Sequence, residues 1–385
     1  MLEILLTAIV AFIVAFLAIP VVILIADKKK LYDIPDERKL HTHAIASLGG
    51  VGVFIGFLFA GLLCTNLTQS PEVRYFYAAA VLVFFIGLKD DIIALSATKK
   101  FVAQILAAAI IVHLGGIRIE NMYGILGIGP LDAMIGVPLT YFVIILIINA
   151  YNLIDGIDGL SGSLGLMASL LFGTYFYLAK MHPYAAFSFS LSAALVGFLI
   201  FNYHPAKIFM GDSGSLLIGM VVSVLVLKFI NVASDPAAAL PIPSAVAVGI
   251  SILIVPLVDT IRVFGNRIMR GRSPFSPDRN HVHHLLIDRG LGHSAVTLIC
   301  VSSNILLVLV TYLTRSLGNT FLIIALFGTA FIALGMLYYT LPKRKLVIHR
   351  RYIINQARQQ QKLANAKHSK VINIQTKETI QEQVH

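Results

Sequence analysis

Long apolar runs separated by short polar stretches organise this chain. A helix needs about 20 apolar residues to cross a hydrocarbon layer. Eleven runs come close to that length, at 4–26, 47–66, 74–90, 100–116, 134–151, 160–179, 184–203, 213–231, 242–265, 294–314 and 319–341. The pattern predicts an all-α polytopic membrane protein with eleven transmembrane helices. The stretches after the odd-numbered runs, with the segment beyond the last, hold 25 of the 30 Lys and Arg residues when those at the run ends are included. The positive-inside rule puts that side in the cytoplasm, so the N-terminus is expected outside and the C-terminus inside. Residues 1–341 read as the membrane domain and 342–385 as a basic cytoplasmic tail. The tail is either an interfacial helix followed by disorder or a solubilising, topology-setting segment. The longest external stretch, 117–134, is rich in Gly and suggests a hairpin.

Composition sharpens this picture. The chain has 385 residues, 57% hydrophobic and 13% charged, with a mean hydropathy of +0.84. A soluble domain carries about 25% charged residues, so a soluble enzyme is excluded. The first run is too long for a cleaved leader and its lysines, Lys28 to Lys30, follow it, so it reads as a span. The net charge of +11 follows the topology and does not indicate nucleic acid. Cys64 and Cys300 both lie in apolar runs, too few for a disulfide framework or a Cys-based zinc site.

The polar clusters carry the chemistry, and all fall on the same side. Asp90-Asp91 ends the third run. Adjacent carboxylates near lipid are costly unless a cation, a proton or a basic partner offsets them, and their coupling can raise one pKa enough for a general base. A helix-ending surface turn is the alternative. Lys100 opens the next run. Asn149, Asn152, Asp155 and Asp158 recur every three residues, a spacing that keeps them near one helix face. That mixture suits a hard cation or the edges of a nucleobase and ribose; helix capping would need only one of them. Gly211-Asp212-Ser213-Gly214-Ser215 opens the eighth run, either as a helix cap or as a phosphate- and Mg2+-binding turn. The loop after the ninth run holds Arg279, His281, His283 and His284, matched to phosphate or sugar hydroxyls if it is not simply a basic membrane-surface loop. Asp259 is an intramembrane carboxylate, a functional suspect unless it merely pairs with Arg262.

In order and separation, these elements resemble the polyprenyl-phosphate N-acetylhexosamine-1-phosphate transferases. The matching pieces are Arg38-Lys39-Leu40-His41 with Gly49-Gly50, Asp90-Asp91 with Leu95-Ser96 and Lys100-Phe101, Asn149 to Leu160, Asn202 with His204-Pro205 and Phe209 to Ser215, and His281-Val282-His283-His284. The resemblance implies that a polyprenyl phosphate attacks the β-phosphate of a UDP-amino sugar and UMP leaves, with Mg2+ as cofactor and Mn2+ as a substitute. It implies that Asp90, with Asp91 beside it, is the base or lipid-phosphate positioner, and that Lys100 holds diphosphate. Asp212 with Asn152 would bind the metal. Asn202, Phe209 and the Asp155 to Asp158 turn would hold uridine, Arg279, His281, His283 and His284 the sugar side, and Asn149 would bind substrate. Lys39 and His41 would contact substrate.

The His-Val-His-His motif is similar to that of transferases loading GlcNAc-1-phosphate onto undecaprenyl phosphate, whereas the translocases for phospho-MurNAc-pentapeptide carry three consecutive histidines. UDP-GlcNAc and undecaprenyl phosphate are therefore the expected substrates, a bacterial cytoplasmic membrane the expected location, and a homodimer the assembly the family implies. The peptidoglycan translocase is the runner-up. A secondary transporter is the reading from another class, but transporters place ionisable groups near the midplane. A CDP-alcohol phosphotransferase would need an Ala-Arg step after Asp155-Gly156 that is absent.

Overall fold

The computed structural model describes residues 2–33, 45–271 and 281–340. Thirteen α-helices run in chain order through these residues. They are α1 Leu2–Lys29, α2 Gly49–Cys64, α3 Val73–Ile92, α4 Ala97–Ala109, α5 Ala133–Ile154, α6 Leu160–Leu178, α7 His182–Asn202, α8 Gly211–Ala233, α9 Ala245–Ile252, α10 Ile254–Met269, α11 Val282–Ile287, α12 His293–Leu313 and α13 Asn319–Thr340. A π-helical turn, Ile110–Leu114, continues α4.

Each of the eleven apolar runs contains helix. Seven helices are long and apolar enough to cross a membrane by themselves, or eight spans if the bent pair α9 and α10 counts as one. The remaining three runs fall short for visible reasons. Helix α2 has 16 residues, α3 carries Arg74, Lys89, Asp90 and Asp91, and α6 is rich in Ser and Gly. Helix α6 is largely buried, so its neighbours rather than lipid surround it.

Burial sorts the bundle into centre and periphery. Helices α7 and α8 are mostly enclosed, whereas α1 and α13 keep most of their surface open. Leu5, Leu17 and Leu24 of α1 and Phe321, Ile324 and Ile332 of α13 point outward, the pattern of a chain whose solvent is hydrocarbon. Helix α8 packs against α3, α5, α2 and α6, so its first turn is surrounded by the ends of other helices.

The bend of 77° between α9 and α10 has a chemical cause. Pro256 has no N–H, so it cannot donate to the carbonyl of Ile252 as a continuous helix would require. Asn304 of α12, fully buried, supplies what the backbone lacks. Its Nδ2 donates to Ser251 O at 3.2 Å and Ile252 O at 3.1 Å, and its Oδ1 accepts from Val255 N at 3.1 Å. Irregular backbone at such depth persists only where protein groups satisfy it.

Two short features lie outside the helices. Strands β1 (Tyr32–Asp33) and β2 (Ile45–Ala46) pair antiparallel, and Ala46 also bridges to Ile208. The expected hairpin in 117–134 closes through Met122 N to Gly129 O, Leu131 N to Glu120 O and a bridge between Asn121 and Pro130.

Candidate active site

The C-terminal ends of α3, α5 and α7 and the N-terminal ends of α4, α6, α8 and α12 meet at one end of the bundle, with Asp259 in the first half of α10 alongside. Lys100 ties them together. Its Nζ lies 2.6 Å from Asp90 Oδ2 and 2.6 Å from Asp212 Oδ2, linking α3, α4 and α8. None of the three side chains is more than 25% exposed, so the pairing is shielded from solvent. Asp90 Oδ1 accepts from Leu95 N at 2.6 Å. Asn152, at the end of α5, donates from Nδ2 to Asp212 Oδ1 and to Ser215 Oγ, both at 3.0 Å.

Asp91 faces a different task. Its Oδ1 accepts from Asp212 N at 2.7 Å and its Oδ2 from Ser213 N at 3.0 Å. These are orphan donors of the first turn of α8, and a carboxylate there also suits the helix dipole. Asp91 thus braces the strand-to-helix turn that presents Asp212. Gly211 makes the turn at φ +74°, where a Cβ would also meet Ser47 O and the Asp91 carboxylate.

The Asp155 to Gly159 turn lies beside this cluster. Asp155 Oδ1 accepts from Ser161 Oγ at 2.5 Å. Burial pushes the Asp155 carboxyl up to about 7, against the Ser161 bond and with the charges of Asp212, Asp91 and Asp158 adding to it. Asp158 moves the other way. Burial opposes its ionisation, but the neighbouring imidazoles of His293 and His204 outweigh that and hold it below the usual carboxylate range.

The histidine motif packs onto the same turn. Asp259, buried in α10, accepts from His281 Nδ1 at 2.8 Å, Val282 N at 2.9 Å and Arg262 Nη2 at 3.1 Å. That anchors the start of α11 and sets His283 against Gly156, where any Cβ would strike the imidazole. His283 is buried, and this lowers its pKa to about 3. Its ring centroid lies 4.4 Å from that of His284.

Among the expected site residues, the structure brings Asp90, Asp91, Lys100, Asn152, Asp155, Asp158 and Asp212 together, with His281, His283 and His284 alongside. Asn149 sits a turn deeper, where its Nδ2 donates to Gln104 Oε1 and Ile145 O, both at 2.8 Å. Asn202 is buried behind the turn, accepting from Gly159 N at 2.9 Å and donating to Ile208 O at 2.8 Å. Phe209 uses its backbone to join β2 and α2, through Ala46 O and Gly49 N. Lys39, His41 and Arg279 lie outside the described residues.

Comparison with known proteins gives the chain's family. A sequence profile described as glycosyl transferase family 4 matches residues 73–230. The decaprenyl-phosphate N-acetylglucosaminephosphotransferase of Mycolicibacterium smegmatis is 34% identical over 69% of this chain and 70% of its own. This chain belongs to glycosyl transferase family 4. Two further similar proteins are the undecaprenyl-phosphate alpha-N-acetylglucosaminyl 1-phosphate transferases of Yersinia pestis, 30% identical over 81% of this chain and 85% of the relative, and Escherichia coli strain K12, 30% identical over 73% and 76%.

Sequence reading had not assigned roles to several residues of this family 4 site. His293 and Thr297 of α12 reach Asp158, and Ser161 reaches Asp155. Polar side chains at the start of an apolar helix were the available signal for His293 and Thr297. Nothing in their spacing points to a partner more than a hundred residues away.

The donor chemistry fits a divalent cation. Two carboxylate oxygens from α3 and α8 already converge on one ammonium, and hard oxygen donors are what Mg2+ prefers. Asn152 adds an amide next to Asp212.

Proposed function

We propose that this chain transfers GlcNAc-1-phosphate from UDP-GlcNAc to undecaprenyl phosphate, releasing UMP and leaving the lipid-diphosphate sugar that starts a cell-envelope polysaccharide. The observation that carries this reading is the Asp90–Lys100–Asp212 cluster, two carboxylates and a cation at one end of a membrane bundle. The names of the similar transferases support the acceptor class and the sugar.

In the reaction, an oxygen of the lipid phosphate forms a bond to the β-phosphorus of the donor. The bond from that phosphorus to the oxygen shared with the α-phosphate breaks, and UMP carries away the electron pair. Asp90 receives the proton of a monoprotonated lipid phosphate or orients its dianion. Lys100 turns from the two carboxylates to the diphosphate, neutralising charge that builds on the transferring oxygens. Asp212 and Asn152 would hold Mg2+, which when bound would supply Lewis-acid stabilisation of the phosphoryl oxygens. The Asp155 to Asp158 turn takes the uridine, while His284 and Arg279 recognise the sugar. Asp91 and His281 support this site through Asp212 and Asp259 respectively.

The reading includes eleven spans, with the N-terminus outside and this site at the cytoplasmic face of a bacterial inner membrane. It also includes 342–385 as a basic tail and a homodimeric assembly. A phosphate headgroup at the interface is then within reach of α3 and α4 while its prenyl chain stays in lipid.

The test is UMP release by the purified protein with undecaprenyl phosphate and Mg2+, comparing UDP-GlcNAc, UDP-GalNAc and UDP-MurNAc-pentapeptide. Release with UDP-GlcNAc alone supports the proposal. Release with only the pentapeptide donor moves the chain to the peptidoglycan branch, and silence with all three in folded protein overturns the assigned donor.

A further inference from the structure

Asp158 is gripped by two segments far from it in the chain, the α7–α8 connection and α12. The residue is 6% exposed. Its Oδ2 accepts from His204 Nδ1 at 2.7 Å and from Ala206 N at 3.3 Å, both on the connection between α7 and α8. Its Oδ1 lies 3.2 Å from Nδ1 of His293, the first residue of α12. One helical turn along α12, Thr297 Oγ1 donates to the main-chain oxygen of Asp158 at 2.9 Å.

These contacts divide into two sets. Asn202 and Thr297 hold the backbone of the turn through Gly159 N and Asp158 O. The two imidazoles, with centroids 5.0 Å apart, meet the turn at the carboxylate and so limit its rotation. An ionised carboxylate is acceptor-only, with about four lone-pair sites. His204 and Ala206 take up Oδ2, while His293 Nδ1 lies 3.2 Å from Oδ1 outside hydrogen-bond geometry, so Oδ1 keeps lone-pair capacity for a ligand.

We propose that His204 and His293 are positioning residues that hold the Asp158 carboxylate as a fixed acceptor for the ring N–H of the donor's base, selecting uracil over cytosine. The inference rests on reading the Asp155 to Asp158 turn as the nucleotide site. Uracil presents an N–H between two carbonyls. Cytosine presents an unprotonated ring nitrogen there, so acceptor would face acceptor and a buried polar group would be left unpaired. A carboxylate free to rotate would discriminate less, because it could turn towards other donors.

Both imidazoles act through Nδ1, which sets a specific test. The amide nitrogen of Asn overlays Nδ1, whereas that of Gln overlays Nε2. The experiment uses the full-length protein, comparing His204→Asn, His204→Gln, His293→Asn, His293→Gln and the His204→Ala/His293→Ala double variant. It measures kcat, KM for each substrate, and inhibition by UMP and CMP. The Gln and double-Ala variants should raise the donor KM about tenfold and cut the preference for UMP over CMP by about tenfold, the scale of one lost charged hydrogen bond. Their kcat and lipid KM should stay within about threefold of wild type, and the Asn variants should behave like wild type.

Equal behaviour of Asn and Gln variants, or loss of kcat with the donor KM unmoved, would overturn the inference. So would a stoichiometric transition metal in the purified protein that is absent from the double-Ala variant, since the ligand atoms of Asp158, His204 and His293 lie within 4.8 Å of one another. Asp158→Ala separates the levels. If that variant leaves the donor KM unchanged, the nucleotide reading itself fails. If it raises the donor KM while the Gln variants do not, only the histidine clamp fails.

Discussion

Replacing Asn304 by Leu tests how the bend in the α9–α10 span is held. The two side chains have similar volume, so the change removes polarity and little else. Two buried carbonyls, Ser251 O and Ile252 O, and the part-buried Val255 N lose partners at 3.2, 3.1 and 3.1 Å. An unsatisfied buried group costs about 1–3 kcal/mol. Pro256 prevents one of the three from being rescued by a straightened helix. Allowing for partial relaxation, the loss is roughly 3–6 kcal/mol. At about 2 °C per kcal/mol for a chain of this size, the unfolding midpoint falls by about 6–12 °C. Cys300 is one turn from Asn304 on α12 and only 4% exposed. Its reaction with a thiol-specific fluorophore, in a Cys64→Ser background, therefore reports opening of this region during a thermal ramp in detergent. A midpoint within 2 °C of the parent would refute the reasoning, because it would mean that the backbone at the bend finds partners without Asn304.

Three other outcomes follow from the site. Lys100→Met should abolish UMP release, yet tighten Mn2+ binding at least about tenfold in nucleotide-free protein, because an ammonium no longer competes for Asp90 and Asp212; Mn2+ electron paramagnetic resonance reads this, and unchanged or weaker binding counts against it. Asp155→Asn should raise the thermal midpoint at pH 8 and converge on wild type by about pH 4. The folded-state pKa of about 7 lies above the ordinary carboxylate value, so wild type loses stability as pH rises through that interval, while the amide keeps the Ser161 bond without the charge; a gap that widens towards low pH would contradict the sign. Asp259→Ala should leave His281, Val282 N and Arg262 without their shared acceptor, cutting kcat at least about tenfold while leaving most of the helical circular dichroism. Wild-type turnover from that variant would remove Asp259 from the support of the histidine motif.

Much of the fold was legible because membrane helices satisfy their own backbone and face an apolar solvent. A run of about 20 apolar residues is then almost a structural statement by itself, and helix occurs in every run the pattern picked out. The bend at Leu253 was less legible. Residues 242–265 read as one span, and Pro256 acquires its meaning only when Asn304 arrives from a helix some fifty residues later.

The site divides in the same way. Asp90, Lys100, Asn152, Asp155, Asp158 and Asp212 stood out because polar groups beside apolar runs are costly, and the alternation of sides put them at one face. Their individual tasks depend on distances between chain segments. Adjacent in sequence, Asp90 and Asp91 diverge: one meets Lys100, while the other caps α8. Asn149 and Asn152 share a helical spacing, but one pairs with Gln104 and the other with Asp212. The sequence by itself determined where helix forms and that the polar groups collect at one end of the bundle, because both follow from local transfer energies. Only the tertiary structure decided which carboxylate meets which cation, amide or imidazole, because hydrogen bonds and ion pairs act over a few ångströms and join residues that sequence order keeps apart.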